Sequence, residues 1–294
     1  MTKALKGVGL GFRIAIAEEI VERLPDEIDF LEIHPENYMR RGGRFPHLLA
    51  KARERYPVGT HGLTMNLGSP DPFDEEYLGD LRRFLDDLEV STHSDHLCFG
   101  GASGVFLHDL LPLPFTDEAA GLVIRRIDEA SSALRRPLAI ENVSYYSPQH
   151  EDGLAEAEFI ADVSKRSGAR ILLDVNNIYV NSQNFGFDPV EFLRRIPSDR
   201  VVQYHIAGHE LREGGLRIDT HGEPIVPAVF ELLEEALRII GIRPILLERD
   251  NNLPPLDTLL KELRILHEIV ERQSSLESGA EHAEDGVRRG AANR

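Results

Sequence analysis

Short β-prone apolar runs alternate along this chain with longer stretches in which apolar residues return every third or fourth position. The β-prone runs are Gly7–Phe12, Phe30–His34, Val58–His61, Val90–His93, Leu138–Val143, Ile171–Val175, Val201–His205 and Ile245–Glu248. Between them the spacing predicts helices. Ile16, Ile20 and Leu24 lie one turn apart and Pro25 ends them. Phe45–Tyr56 follows, then Asp74–Leu88, which places Leu78, Leu81, Leu85 and Leu88 on one face. Thr116 caps a long helix to Leu134, Gly168 closes Ala155–Ser167, and Val190–Arg195 is short. Pro227–Ile240 stops at Gly241, and Leu256–Gln273 is the last helix.

Eight strand–helix alternations predict one (β/α)8 TIM barrel over residues 1–273. A doubly wound open sheet is the alternative. It often opens on a Gly-rich strand-to-helix turn, whereas Gly7, Gly9 and Gly11 alternate along a strand and read as packing or twist positions. Residues 274–294 are poor in large apolar side chains and are expected to form a disordered tail.

The polar residues fall where barrel enzymes build their sites, at the carboxyl ends of the strands. The third run ends in His61, and the fourth leads into His93, Asp95 and His96. The fifth reaches Glu141, and the sixth Asp174, with Asn176 and Asn177 just beyond. The seventh ends in His205, and its loop carries His209, Asp219 and His221; the eighth ends in Glu248, Arg249 and Asp250. So many carboxylates on one rim would repel one another without cations between them, which argues for more than one metal ion. Glu141, after an apolar run, is either an ion-pair partner or a carboxylate bridging two metals, and this rim favours the bridge. His93 and His96 face opposite ways on a continuous strand, so one of them points at the site. His34 and His209 read as surface or supporting residues, and Cys98 as a small buried hydrophobe.

Composition narrows the partners. Fifty acidic against 33 basic residues give a net charge of −17, which repels phosphate backbones and anionic lipid, so neither nucleic acid nor membrane is expected as a partner. No run of eighteen apolar residues is present. The single cysteine excludes an internal disulfide and suits a reducing cytoplasm.

The segments HPENYM, HGLTMNLGS, SDHLCF, IENVSYY, LLDVNNIYVN, QYHIAGH, DTHG and LLERD, spread from about Gly7 to Ile269, resemble the multinuclear non-heme iron-dependent oxidative enzymes. The resemblance implies a barrel holding two or three irons, dioxygen as co-substrate and a cysteine-containing, ribosomally made precursor peptide as substrate. It further implies a separate protein that recruits the peptide. Carried over by position, it assigns His61, His96, Glu141, Asp174, Asn177, His205, Asp219, His221 and Glu248 to the metals, with Glu141 as the bridge. Glu141, Asp174 and His205 are the expected catalytic residues. Methanobactin-type members have histidine where this chain has Asn177, a weaker and neutral oxygen donor. The competing reading of the same ligands is a zinc or manganese barrel isomerase or hydrolase, of the sugar isomerase or apurinic endonuclease type. The nuclease version needs a basic groove that a chain at −17 does not suggest.

Overall fold

A computed structural model describes residues 4–147 and 155–292, with the side chains of 108 and 279–292 left aside. In chain order the strands are β1 Val8–Gly11, β2 Phe30–Ile33, β3 Val58–Thr60, β4 His93–His96, β5 Phe99–Ala102, β6 Val105–Leu111, β7 Leu138–Glu141, β8 Arg170–Asp174, β9 Val201–Ile206, β10 Glu210–Leu211, β11 Arg217–Ile218 and β12 Ile245–Leu247. The helices are α1 Ala17–Arg23, α2 Arg44–Arg55, α3 Glu75–Asp87, α4 Asp117–Leu134, α5 Glu156–Ser167, α6 Val175–Phe185, α7 Pro189–Arg195, α8 Pro227–Ile240 and α9 Leu256–Ala292. Eight parallel strands run side by side in the order β3-β2-β1-β12-β9-β8-β7-β4. A single parallel bridge between His61 and Ser94 joins the two ends of that sheet, so the ring is a TIM barrel with one thin seam.

Strand alternation divides the side chains between two compartments. Val8, Leu10, Leu31, Ile33, Ile140, Leu173 and Leu247 point outward into the main hydrophobic cluster under the helices. Their neighbours Phe30, Ala139, Leu172 and Leu246 are buried outside that cluster, within the barrel. Gly9 is needed there: a Cβ would lie 2.5 Å from the Phe30 ring. Higher in the barrel the inward positions become ionisable. Glu32, His61, Glu141, Asp174, His205 and Glu248 are all buried.

Four local features differ from the sequence reading, two of them for physical reasons that the contacts show. The fourth strand is His93–His96, not Val90–His93. Its polar residues are poor strand formers alone, and here partners at the end of β3 meet them on both faces: His93 Nδ1 is 3.0 Å from Thr60 Oγ1, and His61 Nδ1 is 2.9 Å from Ser94 Oγ. Helix α6 starts directly after β8, with Asp174 accepting from the Asn177 amide at 2.6 Å as its N-cap. Its Asn and β-branched residues have weak helix propensity, so capping and burial decide. Two antiparallel hairpins, β5–β6 and β10–β11, rise from the loops after β4 and β9. Helix α9 continues past Gln273 through the expected tail, although no residue from 270 to 278 is buried; residues 293 and 294 lie outside the described residues.

Candidate metal centre

Glu141, the last residue of β7, sits at the centre of the carboxyl-end rim. Its Oε2 is 3.0 Å from His61 Nε2 and 3.1 Å from His96 Nε2, and its Oε1 is 3.0 Å from His205 Nδ1. Two ligand groups therefore share it: His61, His96 and Glu141 on one side, and Glu141, Asp174, His205 and Glu248 on the other. A third group, His34, Glu248 and Asp250, lies beside the second. Its carboxylates are already compensated, since Arg13 reaches Glu248 at 2.7 Å and Asp250 at 2.5 Å.

Several heteroatoms at this centre are close to one another without hydrogen-bond geometry. Glu141 Oε2, Asp174 Oδ2, Asn177 Oδ1, His96 Nδ1, His205 Nδ1 and His221 Nε2 are buried without a hydrogen-bond partner. Buried polar atoms are rarely left so, because each costs about 1–3 kcal/mol. Imidazole nitrogens and carboxylate oxygens converging without hydrogen-bond geometry form a donor set that fits first-row divalent metals.

The charges of the metal-free residues follow from this crowding. Burial alone would lift the Glu141 carboxyl, but His61, His205 and His96 outweigh it and hold the group below the ordinary carboxylate range. Burial opposes a proton on His61, yet Glu141 pushes that imidazole up to about 9. His205 and His221 are raised in the same way by Glu32, Glu248 and Asp219. Burial and the neighbouring His61 push His96 down to about 4, leaving it neutral. Burial raises Asp174 well above the usual range, against the pull of His221 and with Glu141 and Asp219 adding to it. A metal entering here displaces protons.

The structure places eight of the nine expected ligands within this network and gives the ninth an open donor. Asp219 Oδ1 is 2.8 Å from His221 Nε2, and His221 Nδ1 is 3.4 Å from Glu248. Asn177 donates to the Asn142 carbonyl at 3.0 Å and keeps Oδ1 free. His96, not His93, turns to Glu141; His93 faces away from the barrel interior. His209 is buried, bonded at 2.9 Å to Asn176, which in turn donates to Asp219 at 2.7 Å. His34 is buried, not at the surface, and holds the His61 carbonyl at 2.9 Å. Cys98 is buried and its thiol is pushed up, so it is no ready nucleophile. The sequence reading missed Glu32, whose Oε1 lies 2.9 Å from His205 Nε2. A lone glutamate between apolar neighbours in FLEI was the available signal.

Above the centre a cavity of about 230 Å³ is lined by His96, Glu141, Asn177, His221, Tyr146 and Leu63. A larger one, about 400 Å³, opens at the opposite mouth and reaches Ser94 and Gln203. It approaches the converging residues only from behind, through those two side chains, whereas the smaller cavity is lined by His96, Glu141, His221 and Glu248 themselves. No helix among the described residues is long and apolar enough to cross a membrane.

Residues 7–271 match the family described as RiPP precursor modification enzyme MbnB/TglH/ChrH. A UPF0276 protein of Shewanella sediminis is 42% identical over 92% of this chain and 96% of its own length. One from Caulobacter vibrioides is 44% identical over 88% and 92%. Among solved structures, L-ribulose 3-epimerase aligns over 94% of this chain and 98% of its own, with a TM-score of 0.62 and 15% identity. D-Psicose 3-epimerase from Clostridium cellulolyticum H10 aligns over 93% and 97%, with a TM-score of 0.56 and 14% identity. At such identities the likeness establishes the fold alone.

Proposed function

The chain belongs to the RiPP precursor modification enzymes MbnB/TglH/ChrH, the multinuclear non-heme iron-dependent oxidative family, and on that premise we propose that it uses iron and dioxygen to oxidise a cysteine of a ribosomally made precursor peptide. The observation that carries this reading is Glu141, whose two oxygens serve two ligand groups at once. One-metal chemistry has no use for the His61–His96 pair beside a group that already offers four ligands. Bound iron would supply a place for a thiolate and the activation of dioxygen.

The chain's own residues do the rest. His61, His96 and Glu141 would hold one ion, and Glu141, Asp174, His205 and Glu248 another. Asn177, Asp219 and His221 line the side facing the cavity. His96 and His221 stand at the cavity wall, where an incoming side chain would meet them. The overall acidity of the chain favours a neutral or basic peptide, or a separate protein that presents one.

Protein purified without oxygen should contain at least two irons per chain. Given the cysteine peptide and its recruiting protein, it should consume O₂ and change the peptide's mass, and the Cys→Ser peptide should do neither. A hydroxyl is a poorer ligand for iron and much harder to deprotonate. Stoichiometric zinc with no gain on adding Fe(II), or turnover of a ketose without O₂, would replace this reading with a divalent-metal isomerase like the epimerases that share the fold.

A further inference from the structure

Two of the three histidines around Glu141, His61 and His205, are held from behind, and by groups of different charge. His61 Nδ1 is 2.9 Å from Ser94 Oγ, and Ser94 gives its own proton to the Thr60 carbonyl at 3.2 Å. The serine oxygen therefore accepts from His61 Nδ1–H, and His61 Nε2 is left facing the site. On the other side, Glu32 is 1% exposed on the inward face of β2. Its Oε2 accepts from Gln203 Nε2 at 2.6 Å, and its Oε1 lies 2.9 Å from His205 Nε2. Gln203 must keep its amide nitrogen toward Glu32, since two oxygens at that distance would repel. That amide nitrogen also lies 3.2 Å from His205 Nε2 but cannot accept a proton, and a lone pair on Nε2 would face the Glu32 oxygen at 2.9 Å, so the proton sits on Nε2 with Glu32 Oε1 as its acceptor. Nδ1 of the same ring, 3.0 Å from Glu141 and 3.2 Å from Glu248, turns its lone pair into the site.

We propose that Glu32 is a positioning carboxylate: it fixes His205 as an Nδ1 donor and adds a buried negative charge behind one ligand group only. The inference rests on the metal centre proposed above. Carboxylates behind metal-bound histidines raise the basicity of the ligand and orient its ring, and their loss costs about 10–100-fold in affinity. The Asp174–His205–Glu248 group thus carries three carboxylates and a carboxylate-backed imidazole. The His61–His96 group carries one shared carboxylate and a serine-backed imidazole. Glu32 makes that difference larger than the ligands alone would.

Cobalt(II) titration of the metal-free protein under nitrogen, followed by ligand-field absorption, tests this without turnover. His96→Ala should abolish one class of bound cobalt and so identify it. Glu32→Gln keeps the size and an acceptor for His205 while removing the charge. It should weaken the remaining class about 10–100-fold and shift its absorption bands, with the His96-dependent class unchanged. Ser94→Ala should weaken only the His96-dependent class, and by less. If Glu32→Gln binds cobalt as wild type does, or weakens both classes equally, Glu32 has no selective role and the inference fails. Should that variant not fold, Gln203→Leu frees Glu32 Oε2 while keeping the charge. It should produce a smaller change in the same class, and a change in neither class or in both overturns the inference. Wild-type protein that takes up no cobalt would sink the metal centre itself, an outcome distinct from the failure of Glu32 alone.

Discussion

On the β3–β4 side of Glu141 the donors are imidazoles, and His96 keeps part of its ring open to the cavity. On the β8–β9–β12 side they are mostly carboxylates, with Asp174 and His205 wholly closed off. Hard oxygen donors favour a more highly charged ion, whereas an imidazole-rich place with an open side suits an ion that must accept a softer ligand such as a thiolate. Under the function proposed above, a substrate in the cavity would meet His96 and His221 directly, while Asp174 and His205 stay buried beneath it. One residue joins two unlike environments, and its neighbours rather than its own type decide what each side can do.

The change that should break this comparison outright is Glu141→Gln, because it removes charge that both sides share. Metal content measured after gel filtration should fall on both sides, with affinities down by more than about 100-fold, a loss greater than that for a residue acting through another ligand. His209→Ala, which removes a hydrogen bond to Asn176 and a contact with the Tyr179 ring, should keep the wild-type content. Equal metal in the two variants would remove Glu141 from the bridge.

A carboxylate elsewhere sharpens the same contrast. Glu156 is buried, as Glu141 is, but its partners among the described residues are Tyr145 and Asn181, neither of them a cation. Burial therefore prevails and pushes its carboxyl up to about 8. Between the unfolded value near 4.5 and that folded value the native state binds the extra proton, so stability falls as pH rises through the window. Glu156→Gln escapes this. In metal-free protein its melting temperature should match wild type near pH 5 and exceed it by roughly 3 °C or more at pH 8.5. A gap that does not change with pH would mean that cations, or their absence, are not what separates the two glutamates.

The smallest effect should come from the part of the chain that takes no share in either environment. Residues 274–294 follow Ile269, the last buried side chain among those described. We propose that they form an accessory segment, so that truncation after Gln273 leaves both metal content and melting temperature unchanged. A large fall in either would show that the segment docks on the barrel.

The barrel was legible because its outward strand faces are continuous apolar runs and its helices carry clean stripes, as in Asp74–Leu88. The candidate ligands were legible as a pattern of strand ends, and Glu141 stood out because a charge after LAI needs a reason. What escaped notice depended on partners distant in sequence. The β4 strand reads as a polar loop until His61 and Thr60 are beside it, and α6 reads as coil until Asp174 caps it. Glu32 meets Gln203 across 171 positions, a pairing that no local window contains.

The seam between β3 and β4 carries a last consequence, a mechanical one. The ring closes there through one bridge, His61 to Ser94, with the Gly62 amide donating to Ser94 at 2.7 Å. His61 hangs from one lip of that joint and His96 from the other. An ion gripped by both would act as a rivet across the weakest hoop of the barrel, and losing the ion and springing the joint would become a single event. Amide exchange at Gly62 would then report occupancy, quickening on chelation while the far side of the ring stays protected.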